Sequence, residues 1–294
     1  MASFSTHLPI TMTESELKAL VSLLDDPDRF VSAHVEDEIR KMGNKIIPVL
    51  ETEWQDNSLS PFMQRRIEYL IHDLQFNQVS DRLMHWYEGG GFDLLEGLWI
   101  VATYQYPELT YEKLKDAIEQ VFYEFWLDIK PDMHPIDKIK TMNAVFFGRL
   151  RFTSNTKHFH SPANSMLNIV LENRRGNPIS LSCIYMLMAR RLNIPLYGVN
   201  LPNLFVLTYK GDIPQFYINV FNKGLIFNRK DIEQYVAQLN LKPLDTFFEP
   251  CTNIDIIRRY FRNLMMAFDK TGDQDKVAEI KKLMRCISDE ETEL

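Results

Sequence analysis

Cys183 is the residue of greatest chemical reach in this 294-residue chain, one of only three cysteines, with Cys251 and Cys286. A cysteine becomes a nucleophile when a helix N-terminus or a neighbouring cation stabilises its thiolate and a base stands within reach. Cys183 lies in PISLSCIYMLMARR, residues 178–191, about one turn deeper than Ser180 and on a similar face. The dipole's help fades beyond the first turn. The seven histidines are His7, His34, His72, His85, His134, His158 and His160, and none follows Cys183. A base would therefore have to come from the preceding loop, as His158 or His160. Buried free cysteine more often acts as a small hydrophobe, and that is the expectation for Cys183, with a nucleophile using a non-standard base as the alternative.

Other residues invite weaker readings. His158 and His160 form a lone His-x-His beside Lys157, short of the three or four ligands a metal needs, so no metal site is expected. Arg174 and Arg175 precede a helix start. With its free N–H groups they could form an anion site, or they could form ion pairs with neighbours such as Glu172. Gly89, Gly90 and Gly91 lack the following Gly-Lys-Ser/Thr of a phosphate loop and read as a hinge.

These residues need elements to hold them. Asn177 is a strong N-cap and Pro178 suits the first helical position. The segment from Ile179 to Leu192 is apolar on nearly every side, which predicts a buried helix. Arg190 and Arg191 suit its last turn; Asn193 and Pro195 end it. Three strands are expected next, at 204–209, 215–221 and 225–227, then a helix at 232–239. Upstream, helices are expected at 94–103, 111–127, 135–148 and 163–172. Two C-terminal helices, 254–269 and 273–287, meet at Thr271-Gly272. Near the start, Thr13 with Glu16 predicts a capping box after a loose leader, and the tail DEETEL reads as frayed. Residues 31–88 suggest two hairpins, because Ile46, Leu50 and Trp54 recur as Val79, Leu83 and Tyr87, each 33 positions later, with a second break near Phe76-Asn77.

The stretches SPANSMLNIVLENRR, RRGNPISLS, ARRLNIPL and GVNLP resemble the transglutaminase-like core proteins of the bacterial SirB-one type, whose core also occurs in some F-box proteins. The resemblance runs from about residue 94 to about 287 and is most specific between 161 and 224. It implies a papain-like core in which active members carry a Cys at the start of the buried helix, a His on the next strand and an Asp on the one after. Here those positions fall on Ser180, Leu204 and Asn219, so all three catalytic residue types are replaced. The resemblance thus implies the fold without its chemistry. Arg174, Arg175, Asn177, Ser180 and Asn203 are the candidate binding residues of the remaining cleft.

Composition bounds the rest. A hydrophobic content of 45% supports a full core, and a net charge of −7 argues against phosphate-backbone binding. No apolar run approaches the roughly 20 residues of a membrane helix. The start, MASFSTHLPITM, lacks a basic n-region and an apolar h-region, so no secretory signal is expected, and three scattered cysteines suit a reduced cytoplasm. The expected fold is α+β and predominantly helical: a helical-repeat-like region (1–90), a transglutaminase-like core with a small antiparallel sheet (91–245), and a tetratricopeptide-like hairpin (246–294). The expected role is non-catalytic binding of a protein or peptide, with no cofactor, nucleic acid or membrane. The alternative is a hydrolase or acyl-transferase using Cys183.

Overall fold

The computed structural model describes residues 12–55 and 59–288. The expected loose leader and the acidic tail from Asp289 lie outside those residues, apart from Met12. The chain forms two compact units that divide between Asp81 and Arg82.

The first unit is helical. Helix α1 (Glu14–Ser22) opens on the Thr13–Glu16 capping box. Asp28 caps α2 (Arg29–Met42) by accepting from the Phe30 N–H. A short turn leads to α3 (Ile47–Trp54), and α4 (Pro61–Glu88) follows. Val35, Ile39, Leu50, Ile67 and Leu70 form its core. Arg66 donates to Glu36 at 2.6 Å beside it. The second hairpin expected from the 33-residue recurrence is absent, because residues 61–88 form one helix of 28 residues through Phe76-Asn77. The reason is local: no glycine or proline interrupts the segment after Pro61, and Asn alone is a weak breaker. The division between units falls inside this helix, seven residues before Gly89.

In the second unit, α5 (Leu94–Thr103) and α6 (Tyr111–Trp126) are capped by Asp93 and Thr110. Helix α7 (Pro135–Asn143) continues as a π-helical turn over Ala144–Arg149. Strand β1 (Thr153–Ser154), helix α8 (Leu167–Asn173) and strand β2 (Arg175–Gly176) lead to α9 (Pro178–Arg191). Strands β1 and β2 pair in parallel. Helix α9 is the predicted buried helix: every residue from Ile179 to Ala189 is buried.

The sheet that follows is antiparallel and four-stranded, in the order β3 (Leu196–Leu201), β4 (Leu204–Tyr209), β5 (Phe216–Asn219), β6 (Leu225–Phe227). The sequence reading lacks β3, since Gly198 and Asn200 are poor strand residues. Gly198 makes room there: a Cβ would stand 2.5 Å from Cζ of Phe205, so the ring would have to shift. The outer side of β3 is engaged. The Cys251 N–H donates to the Gly198 carbonyl there (2.8 Å). Helix α10 (Arg229–Gln238) covers one sheet face through Ile232 and Val236, which pack with Val199, Val206 and Tyr217. The chain closes with α11 (Asn253–Thr271) and α12 (Gln274–Arg285), turned at the left-handed Gly272 (φ 79°). The described residues are thus predominantly helical with a small antiparallel sheet.

Candidate functional site

The start of α9 is built by reciprocal capping. The Ser180 N–H donates to Asn177 Oδ1 (2.9 Å), and Ser180 Oγ accepts from the Asn177 N–H (3.0 Å). Asn177 Nδ2 also donates to Ser165 Oγ (3.1 Å). Gly176 permits this close approach, since a Cβ there would collide with Ser180 Oγ. Ser180 is fully buried and its hydroxyl is committed to the cap, so it is not a nucleophile open to substrate.

Cys183 is no more accessible. It is 0% exposed, and burial pushes its thiol pKa well above the ordinary value. The loop histidines offer it no base. His160 is exposed and its Nε2 lies 2.5 Å from Lys270 Nζ; an ammonium has no acceptor to offer, so Nε2 accepts. His158 is exposed too, and its carbonyl accepts from the buried Asn164 (2.7 Å), which ties the loop. Among the described residues no group of three or more His, Cys, Asp or Glu stands close enough to hold a metal.

A cleft of about 260 Å³ opens at this end of α9. Asn177 and Pro178 form one wall, Asn203 and Phe205 another, and Arg259 and Asn263 of α11 a third. Asn203 sits in the β3–β4 turn in the left-handed conformation (φ 56°), which Asn tolerates. Arg259 donates to Asn200 Oδ1 (3.1 Å) and has no carboxylate partner among the described residues. Among the described residues no acidic side chain lines the cleft. Arg259 and Asn263 are sites that sequence reasoning missed; they come from a helix 80 positions downstream of Ile179 or more, and only the packing of α11 brings them here.

The structure does not bring Ser180, Leu204 and Asn219 together. Adjacent strand residues face opposite sides of a sheet. Phe205 faces the α9 cleft, while Leu204 and Asn219 line a separate pocket of about 390 Å³ beside Asp231, Ile232 and Tyr235 of α10. Asn219 Oδ1 there accepts from the Asn222 N–H (3.1 Å) and caps a short turn. The positions that face the start of α9 are therefore Asn203 and Phe205. Neither carries a proton-transferring group.

Arg174 and Arg175 are not at the α9 cleft either. Arg175 is exposed on β2. Arg174 terminates α8 in the left-handed conformation (φ 56°), with its guanidinium 4.8 Å from the Phe152 ring centroid. No ion pair with Glu172 forms among the described residues. Neither the anion site nor the ion pair with Glu172 considered for these arginines forms at the start of α9, because the α8–α9 connection turns Arg174 back towards α8.

A buried helix delivering its capped start to a cleft beside an antiparallel sheet is compatible with a transglutaminase-like core. The chain belongs to the transglutaminase-like superfamily, whose family model matches residues 112–262, just over half of it. Among curated relatives, a "UPF0162 protein" of Xylella fastidiosa (strain 9a5c) is 29% identical over 195 residues, covering 63% of this chain and 68% of that one. F-box only protein 21 of Homo sapiens is 34% identical over 108 residues, 34% of this chain and 17% of that one. A "UPF0162 protein" of Pseudomonas aeruginosa is 50% identical over 46 residues, 16% of this chain and 17% of that one. No solved structure matches.

Proposed function

We propose that this protein is a non-catalytic member of the superfamily, of the SirB-one type, that binds a protein or peptide segment in the cleft at the start of α9. One observation carries the reading. The polar wall of the cleft holds the amides of Asn177, Asn203 and Asn263, the Arg259 guanidinium, the His160 imidazole and the Ser161 and Ser165 hydroxyls, with no thiol and no carboxylate among the described residues that line it. Amide side chains supply donor and acceptor pairs that match a peptide backbone. An acid-free wall with one cation favours a segment carrying negative charge. The C-terminal α11–α12 hairpin, read as tetratricopeptide-like, would extend the same surface, since Met266 on α11 lines the cleft and is 57% exposed.

The test is site-specific photocrosslinking in the cell of origin. A benzophenone amino acid replaces Met266 in the full chain, with Trp126, which is 62% exposed on α6, as the control position. A discrete adduct from Met266 that is absent from Trp126, and lost when Asn203→Trp is added, supports the cleft. Equal adducts from both positions, or none from Met266, would sink the reading.

A further inference from the structure

A further cavity lies elsewhere, between α6 and α8, with a volume of about 560 Å³. That is within the range of small-ligand sites, roughly 300–1,000 Å³. Its walls are apolar at Leu109, Leu114 and Leu171. Two polar groups on it are unmatched. Arg174 Nη1 and Asn168 Oδ1 are buried, and neither has a hydrogen-bond partner among the described residues. Unmatched buried polar groups are uncommon and costly, and a guanidinium more so than an amide. The Arg174 side chain makes no hydrogen bond or ion pair among the described residues; Nη1 is its buried unmatched nitrogen, and the guanidinium rests on the Phe152 ring. Glu172, two residues away, lines the same cavity without pairing to it. Burial without a counter-ion lowers the Arg174 pKa.

The two orphans are complementary. Arg174 offers N–H donors to an anion, and Asn168 offers an acceptor to an N–H or O–H. Charge narrows the class further. Lys113 and Arg174 are matched in number by Glu108 and Glu172 on the same walls, so the walls carry no net formal charge and the case for an anion rests on the unpaired Arg174 alone. A polyphosphate would meet two carboxylates.

We infer that this cavity binds an N-acyl amino acid carboxylate, either free or as the C-terminal residue of a peptide, with the carboxylate on Arg174, the adjacent N–H on Asn168 and an apolar side chain against Leu109, Leu114 and Leu171. The site is separate from the α9 cleft and does not depend on the function proposed for it.

Titration calorimetry on the full chain tests this with N-acetyl-leucine as probe, and with N-acetyl-leucinamide and inorganic phosphate as controls. N-acetyl-leucine is expected to bind at one site. The amide should bind at least about tenfold more weakly, the scale of a lost charged hydrogen bond, and phosphate should not compete. Arg174→Met, which keeps the stem over Phe152, should weaken the probe by a similar factor. Should that variant fail to fold by near-ultraviolet circular dichroism, Ala117→Leu, which fills the cavity from α6, must abolish binding instead. The cleft variant Asn203→Trp should leave the probe's affinity unchanged, so a failure here and a failure of the cleft are told apart. Tighter binding of Ala-Ala-Leu would assign the site to a chain end, and equal or weaker binding to a free acylated residue; either upholds the inference. Equal affinity for acid and amide, competition by phosphate, or no binding of N-acetyl-leucine would overturn it.

Discussion

A thiol without solvent is a packing group. Cys183 has no exposed surface and a raised pKa, so at neutral pH it is neither ionised nor reachable. The sign is simple: burial disfavours the charged form, so the thiolate population falls far below that of an exposed cysteine throughout pH 5–8. Iodoacetamide should therefore label Cys183 only after unfolding, with Cys183→Ser identifying its share of the total. Fast labelling in the native state near pH 6 would restore the nucleophile. Cys251 should also be slow, since burial pushes its thiol pKa up to about 12. The order of histidines along the sequence already excluded a downstream base. What sequence could not convey was direction: Leu204 and Phe205 differ by one position, and the pleat sends one to α10 and the other to the cleft.

At the scale of elements, the start of α9 is a small polar network enclosed by apolar side chains. Asn177 is only 6% exposed and satisfies both the helix cap and Ser165. Asn177→Ala should destabilise the protein by about 1–2 kcal/mol, the loss of a good N-cap, seen as a lower urea midpoint at unchanged m-value. An unchanged midpoint would mean the cap is dispensable. This helix was legible because every local signal agreed: Asn, then Pro, then an apolar run, then Arg-Arg-Leu-Asn. Strand β3 was not, because Gly198 and Asn200 serve tertiary needs, room for Phe205 and a partner for Arg259. The α6–α8 cavity was illegible for a similar reason. Arg174 reads in sequence as part of a helix start, whereas its left-handed backbone at the end of α8 turns it away.

For the whole chain, the telling feature is that the division between units lies inside a helix and not at the glycine run. The last turns of α4 are structural parts of the second unit. Arg82 stacks on Trp99 at 4.6 Å, and the Trp86 indole N–H donates to the Asp93 carbonyl at 2.8 Å. Trp86 also fills the space over Gly97. A fragment of residues 82–294 should therefore fold cooperatively. One starting at residue 91 should lose about 3–5 kcal/mol, the usual scale of deleting a core tryptophan. Urea denaturation of the two fragments decides it: equal stability would make the glycine run the true boundary.

The sheet has one further consequence, for life at high concentration. Exposed strand edges recruit other chains into shared ladders, the first step of amyloid and of much aggregation. On one flank of this sheet the backbone of β3 is already engaged at Gly198 by the Cys251 N–H. On the other, β6 is three residues long, flanked by Lys223 and Arg229. Neither flank offers a long, flat, unguarded template, so the protein carries its own resistance to edge-to-edge polymerisation even where Leu225 stands half exposed.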